Sequence, residues 1–213
     1  MARPRFEKLD PQKQEAILAA AADEFAARGF EGASLNRIIE RAGTSKGALY
    51  YYFDDKADLL ATVAEQAVKR VLAETDFPPL ASLTKEDYWE RVRDVSRRSF
   101  RSLEVDTWYV RLLRAFWRLR EEEGARSATA GVMDWSRDLT REFLERGQTL
   151  GTVRTDLPLE LMLEMFLAAD EAGDRWILER WEGLDERGKA GLLDARLDFA
   201  RDMLDARHMG WEP

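Results

Sequence analysis

SLNRIIERAGTSKGALYYYF, residues Ser34 to Phe53, reads as two short helices joined by a tight turn. Leu35, Ile38, Ile39 and Ala42 stand at i, i+3, i+4 and i+7, one face of a first helix. Ser34 precedes that helix, and a serine hydroxyl there can accept from an early orphan N–H. Gly43 follows, the residue that most cheaply enters the left-handed conformation on which many helices end. Thr44 and Ser45 supply cap chemistry for a second helix over about Lys46–Tyr52. Two short helices about a three- to four-residue turn containing glycine are the helix-turn-helix signature.

The second helix is unusual for a buried element. It carries Lys46, Gly47, Tyr50, Tyr51 and Tyr52, with only Ala48, Leu49 and Phe53 suited to a core. A cation, hydroxyls and a helix N-terminus all donate to phosphate oxygens. Gly47 lets backbone approach a sugar–phosphate chain closely. A tyrosine ring packs on sugar or a thymine methyl while its hydroxyl still hydrogen-bonds. Lys56 adds a further cation at the start of the next helix. Tyr50 has a second reading, as a brace of the domain core.

The pattern AGTSKGALYYYFDDKADLL, residues 42–60, preceded by AILAAAADEFAARGFEGASLNRI, resembles the DNA-binding domain of TetR-family transcriptional regulators. The match runs from about Pro11 to Val71 with order and spacing intact. The resemblance implies a homodimer that binds a partly palindromic, inverted-repeat operator through its N-terminal domains. It implies a helical C-terminal domain that binds a small-molecule effector and dimerises through its last two helices. Ser34, Thr44, Ser45, Lys46, Gly47, Tyr50, Tyr51 and Lys56 stand where members of the family often touch DNA. Asn36, Arg37 and Tyr52 occupy contacting positions in some members, and Tyr52 replaces the histidine often found there. The function so implied is a repressor released from its operator by a ligand. The sequence leaves activation open, and also a helical ligand- or protein-binding module with a vestigial reading head.

Composition bounds the rest. The chain has 213 residues, 45% hydrophobic and 35% charged, with no cysteine and one histidine, His208. That excludes disulfides, thiolate metal sites and histidine-rich metal sites, and fits a cytoplasmic setting. No apolar run is long enough to span a bilayer, and the basic N-terminus lacks a signal-peptide core. The net charge is -8, an odd sum for a DNA binder. Its distribution matters more, because residues 1–56 balance to zero and residues 57–213 carry the whole excess.

In order, residues 1–8 read as a disordered arm whose Arg3 and Arg5 either reach a neighbouring groove or stay solvated. Asp10 caps a helix that begins at Pro11, buries Ile17, Leu18, Ala21 and Phe25, and ends at Gly29. Asp54–Asp55 cap a connector helix over about 56–74, broken by Pro78–Pro79. Five more helices are predicted, over about 85–103, 107–122, 125–146, 158–181 and 185–207, with a glycine-punctuated loop at 146–158. The expectation is an all-α protein of about nine helices. An N-terminal three-helix helix-turn-helix domain (1–56, motif 34–53) is joined by the connector helix to a larger helical effector-binding and dimerisation bundle (57–213).

All seven tryptophans lie beyond residue 57. Trp108, Tyr109, Phe116 and Trp117, together with Trp135, Phe166 and Trp176, are candidates to line an effector pocket, with simple core packing as the alternative. Asp170 lies beside the stripe of the helix over 158–181. If buried, it needs an arginine or a cationic ligand. No cofactor is implied. Tyr52 and Lys56 match a Tyr-x-x-x-Lys spacing, but no glycine-rich dinucleotide motif or strand–helix alternation precedes them, so an enzyme is not expected.

Overall fold

The computed structural model describes residues 4–76 and 78–206. Among these, eleven α-helices and no strand occur: α1 (Pro4–Glu7), α2 (Pro11–Gly32), α3 (Leu35–Arg41), α4 (Lys46–Tyr52), α5 (Lys56–Thr75), α6 (Tyr88–Ser102), α7 (Trp108–Leu119), α8 (Glu123–Ala128), α9 (Ala130–Leu150), α10 (Leu159–Arg180) and α11 (Glu186–Leu204). The all-α expectation holds. The two extra helices are α1, where an arm was expected, and α8, split from α9 at Thr129. That residue is buried and its hydroxyl donates to Ala125 O at 2.8 Å. The chain forms two compact units, the first within residues 1–73 and 102–133, the second within 74–101 and 134–213.

The first unit is built on α2. Asp10 caps it, accepting from Gln12 N–H at 3.1 Å and Lys13 N–H at 3.3 Å, with Pro11 at the first position. Its apolar side, Ile17, Leu18, Ala21, Ala22 and Phe25, is fully covered. Val110, Leu112, Phe116 and Leu119 of α7 and Leu59, Leu60 and Val63 of α5 share that core. Polar bonds fix α7 along α2. The Trp108 indole donates to Glu15 at 2.6 Å, Arg111 to Asp23 at 2.8 Å and Arg118 to Ala26 O at 2.6 Å.

Regular geometry in α2 stops at Gly29, as expected, but one turn follows in a new direction. Gly29 has φ 73, so it is left-handed, and an added Cβ would strike the Glu122 carboxylate. That carboxylate accepts from the N–H groups of Phe30 at 3.1 Å and Glu31 at 2.6 Å. The charge-rich stretch around Glu122 reads as solvated surface, yet this side chain caps the kink left by Gly29.

In the second unit Tyr88, Leu144, Val153, Met162, Leu163 and Leu204 form the core. The Tyr88 ring stacks on Phe143 at 4.8 Å and its hydroxyl donates to Phe143 O at 3.0 Å. Burial pushes that hydroxyl's pKa well above the usual tyrosine range. The expected loop from Arg146 begins later, because α9 runs through Gly147 to Leu150 and turns at Gly151, φ 69. Gly147 is there for close approach: a Cβ would strike Val153 and the Tyr88 hydroxyl. Beyond the turn, Arg154 N–H donates to Leu204 O at 2.8 Å and Ala206 N–H to Thr152 O at 3.1 Å, pinning the end of α11.

Between α10 and α11 one guanidinium serves two carboxylates. Arg196 pairs with Asp170 and, at 2.6 Å, with Asp174. Burial, and then Asp170 beside it, push the Asp174 carboxyl up to about 6. An unfolded aspartate titrates near about 3.9, so the native state binds the extra proton between the two values. Stability therefore falls as pH rises from about 4 to about 6, and the penalty is fully present above that window. Asp174→Asn keeps an acceptor for Arg196 and removes the penalty. Its melting temperature should exceed the parent's near pH 7.5 and converge with it near pH 4. A variant less stable than the parent near pH 7.5 would show the charge to be net favourable.

Candidate nucleic-acid interface

Helices α3 and α4 have seven residues each, too short to persist alone. Their geometry is imposed by neighbours. Glu24 on α2 is 3% exposed. Its carboxylate accepts from Ser34 N–H at 3.0 Å and from the Arg37 fork through Nε at 2.8 Å. The Arg37 guanidinium beside it holds the carboxyl below the usual glutamate range. The Ser34 hydroxyl, expected to cap α3, makes no capping bond. Glu24 reaches the Ser34 backbone N–H instead. Arg37 also donates to Gly32 O at 3.0 Å, so the fork expected at DNA faces the protein. Arg41 adds a bond to Asp23 at 3.0 Å, the same carboxylate that holds Arg111.

The turn between the helices is a Schellman close. Thr44 N–H donates to Ile39 O at 3.1 Å and Gly43 N–H to Glu40 O at 3.2 Å, with Gly43 at φ 60. Ser45 then caps α4, its hydroxyl accepting from Ala48 N–H at 3.1 Å. Ile38, Leu49 and Phe53 fasten both helices to the core. Asp55 caps α5 through Asp58 N–H at 2.8 Å, while Asp58 accepts from Asp54 N–H at 3.1 Å.

With Leu49 inward, α4 turns Lys46, Gly47, Tyr50 and Tyr51 outward, the tyrosines 44% and 50% exposed. Tyr50 therefore does not brace the core. Tyr52 is the tyrosine that does: it is half-buried, 6.0 Å from the Phe6 ring and 5.2 Å from Tyr51. Ser45 and Asn36 are exposed, and Ser34 and Thr44 half-buried. Lys56 is half-buried, donates to Glu31 O at 3.1 Å and lies 4.6 Å over the Phe30 ring, so it too is engaged within the protein. The disordered arm expected at 1–8 is, over its described part, a helical turn seated on α4. Phe6 is 2% exposed and packs on Phe53 at 5.0 Å, and the Arg5 guanidinium lies 4.7 Å over the Tyr51 ring. Arg3 falls outside the described residues. Two residues that organise this site, Glu24 and Phe6, were not among the candidates. Glu24 carried a signal, an acid three residues after Ala21 on the apolar stripe of α2.

The side chains expected around an effector separate. Trp108, Tyr109 and Phe116 are buried in the first unit's core, with Trp117 packed against it, because the apolar side of α2 needs covering by α7. Trp135 and Trp176 are 43% and 47% exposed. Asp170 is half-buried and its partner is Arg196, an internal ion pair. Phe166 alone of the eight lines a cavity of about 180 Å³ in the second unit, with Leu83, Val92, Val95, Leu139 and Phe143.

Gly43 gives a clean test of the turn. An added Cβ meets nothing within 4 Å, so any penalty is conformational. Gly43→Ala should lower unfolding stability by about 1 kcal/mol, and Gly43→Asn by less, since asparagine enters the left-handed region more readily. Equal losses in denaturant titrations would mean that crowding, not backbone conformation, sets the requirement.

Comparison with known proteins agrees with this geometry. Residues 17–63 match the family model described as bacterial regulatory proteins, tetR family. The HTH-type transcriptional repressor AcnR of Corynebacterium glutamicum is 28% identical over 188 residues, 88% of this chain and 92% of that protein. The HTH-type transcriptional regulator RutR of Escherichia coli is 41% identical over 90 residues, 40% of this chain and 42% of that one. The crystal structure of the transcriptional regulator FadR from Bacillus subtilis, in complex with stearoyl-CoA, has a TM-score of 0.69 at 17% identity, covering 88% of this chain and 97% of that one. A likeness at that identity speaks for the fold, while the motif residues and the matched sequences speak for the function. The family match, the related sequences and the fold together support a TetR-family DNA-binding transcriptional regulator.

Proposed function

We propose that this regulator is a homodimeric repressor, with residues 1–56 reading DNA and residues 57–213 dimerising and taking an effector. The observation that carries the DNA-reading part is the outward face of α4. A seven-residue helix with one buried side presents Lys46, Gly47, Tyr50 and Tyr51 together. Each copy places this helix in a major groove, so an inverted repeat is the matching operator. In this reading Lys46 and the Ser45-capped N-terminus of α4 meet phosphate. Thr44, Tyr50 and Tyr51 contact sugar and base edges, and Gly47 admits the backbone. Ser34, Asn36, Arg37, Tyr52 and Lys56 flank that face. Arg37, Tyr52 and Lys56 act chiefly by holding it in place.

Dimerisation is supported by apolar side chains left on the surface of the last two helices. Leu161, Met165 and Trp176 of α10 are 48%, 46% and 47% exposed, and Phe199 of α11 is 62% exposed. The repressor sense follows AcnR, which is named a repressor. A ligand releases DNA to the extent that it prefers the conformation that binds DNA poorly. No described helix is long and apolar enough to cross a membrane. We place the protein in the cytoplasm, with no catalytic role and no cofactor.

Gly47 separates folding from reading. An added Cβ meets nothing within 4 Å inside the protein. Gly47→Ala should therefore stabilise α4 by about 0.5–1 kcal/mol while weakening duplex binding at least tenfold. Lys46→Ala should weaken binding to all duplexes and reduce the slope of log affinity against log salt by about one per reading head. Gly47→Ala binding DNA as the parent does, together with an unchanged slope in Lys46→Ala, would remove this face from the interface.

A further inference from the structure

The cavity of the second unit has a composition that restricts its occupant. It lies among α6, α9 and α10 and the segment that leads into α6. Its volume of about 180 Å³ is close to that of cavities of about 150 Å³ that hold one benzene. It is smaller than the sites of about 300–1,000 Å³ that hold drug-sized ligands. The acyl-CoA seen in the structural relative is several times too large. Val92, Val95 and Leu139 form aliphatic wall, and Phe143 and Phe166 offer ring faces, which suit a second ring in offset or edge-on contact.

Three lining groups are polar: Arg91, Ser96 and Thr140. Arg91 is already matched. Its Nε bonds Asp87 at 3.2 Å, and Asp87 is clasped by Thr84 through N–H at 2.8 Å and hydroxyl at 3.0 Å. The Thr84 N–H, before any other contact, holds that carboxyl below the usual range, so Asp87 stays ionised beside Arg91. An anionic ligand would meet a guanidinium whose charge Asp87 already offsets, and otherwise a mostly apolar wall. The hydroxyls differ. Thr140 donates to Ser136 O at 2.8 Å, which leaves it lone pairs to accept with. Ser96 makes no hydrogen bond among the described residues and so can donate or accept.

From the volume, the ring faces and the two hydroxyls we infer that this cavity takes a neutral single-ring molecule carrying one hydroxyl, of the phenol class. The inference rests on the proposal that the second unit takes an effector, and it names the effector's chemistry. The ligand hydroxyl donates to Thr140 or accepts from Ser96, and the ring fills the space between Val95 and the phenylalanines.

The test is calorimetric titration of the full-length protein with p-cresol, toluene, benzoate and stearoyl-CoA. p-Cresol should bind at least tenfold more tightly than toluene or benzoate, and stearoyl-CoA should not displace it. Ser96→Ala should reduce the preference for p-cresol over toluene at least threefold. Val95→Phe, checked for native helix content by circular dichroism, should abolish p-cresol binding. Tighter binding of benzoate or stearoyl-CoA, no binding of p-cresol, or p-cresol affinity unchanged in both variants would overturn the inference. Operator release is scored separately. p-Cresol that fills the cavity yet leaves duplex affinity unchanged upholds the ligand class and sinks only the ligand-responsive reading.

Discussion

The buried carboxylate of Glu24 is the constraint on which the reading head depends. A charge at 3% exposure is tolerated only when it is paired and hydrogen-bonded, and here one carboxylate oxygen accepts from Ser34 N–H and from the Arg37 guanidinium. Those partners are the entry and the first turn of α3. The 22-residue α2, itself packed by α5 and α7, thereby sets where a seven-residue helix begins. Gly43 sets where it ends and Ser45 where α4 starts. Leu49 and Phe53 go inward, and four residues are turned outward together. Recognition of a groove needs this rigidity, because side chains ordered only on binding would lose affinity to conformational entropy.

Local chemistry was legible and long-range chemistry was not. The caps at Asp10, Ser45 and Asp55, the left-handed Gly43 and the alternation of buried and exposed residues on α4 all act within a few residues. Their spacing announces them. Ser34 reads as a side-chain cap for the same reason, but the N–H it exposes is met by Glu24, ten residues earlier, which no local rule supplies. Glu122, 91 residues from Glu31, is a stronger case of the same kind. Gly147 reads as a breaker because its role, room for Tyr88 and Val153, appears only once α9 is packed. The aromatic candidates for a pocket split because α2 is broadly apolar and must be covered. Trp108, Tyr109 and Phe116 supply the cover. The cavity of the second unit takes Leu83, Val92, Val95 and Leu139 into its wall beside two phenylalanines, and periodicity cannot tell such aliphatic residues from core.

Charge follows a similar division. The sum of -8 conceals arginines that are paired with carboxylates in the second unit. Arg97 meets Asp194 at 2.7 Å, Arg141 meets Glu160 at 3.0 Å and Arg196 meets Asp174 at 2.6 Å. The exposed pairs among these add little stability, of the order of 0–1 kcal/mol each, but they neutralise cations that would otherwise attract phosphate indiscriminately. Around α4 the pattern differs. Lys46 makes no ion pair among the described residues, and Arg5 is held over Tyr51 by an ordered turn. A cation fixed beside an exposed tyrosine is oriented before any duplex arrives, which favours a defined register over loose electrostatic attachment.

The central claim is that the outward face of α4, presented twice by a symmetric pair, reads an operator. Selection from randomised duplex DNA, followed by a salt titration of the winning sequence, tests it most directly. The account predicts recovery of an inverted repeat, half-sites spaced by one to two helical turns, and affinity that falls steeply with salt. Recovery of no preferred sequence, or of a single half-site bound without salt dependence, would contradict it.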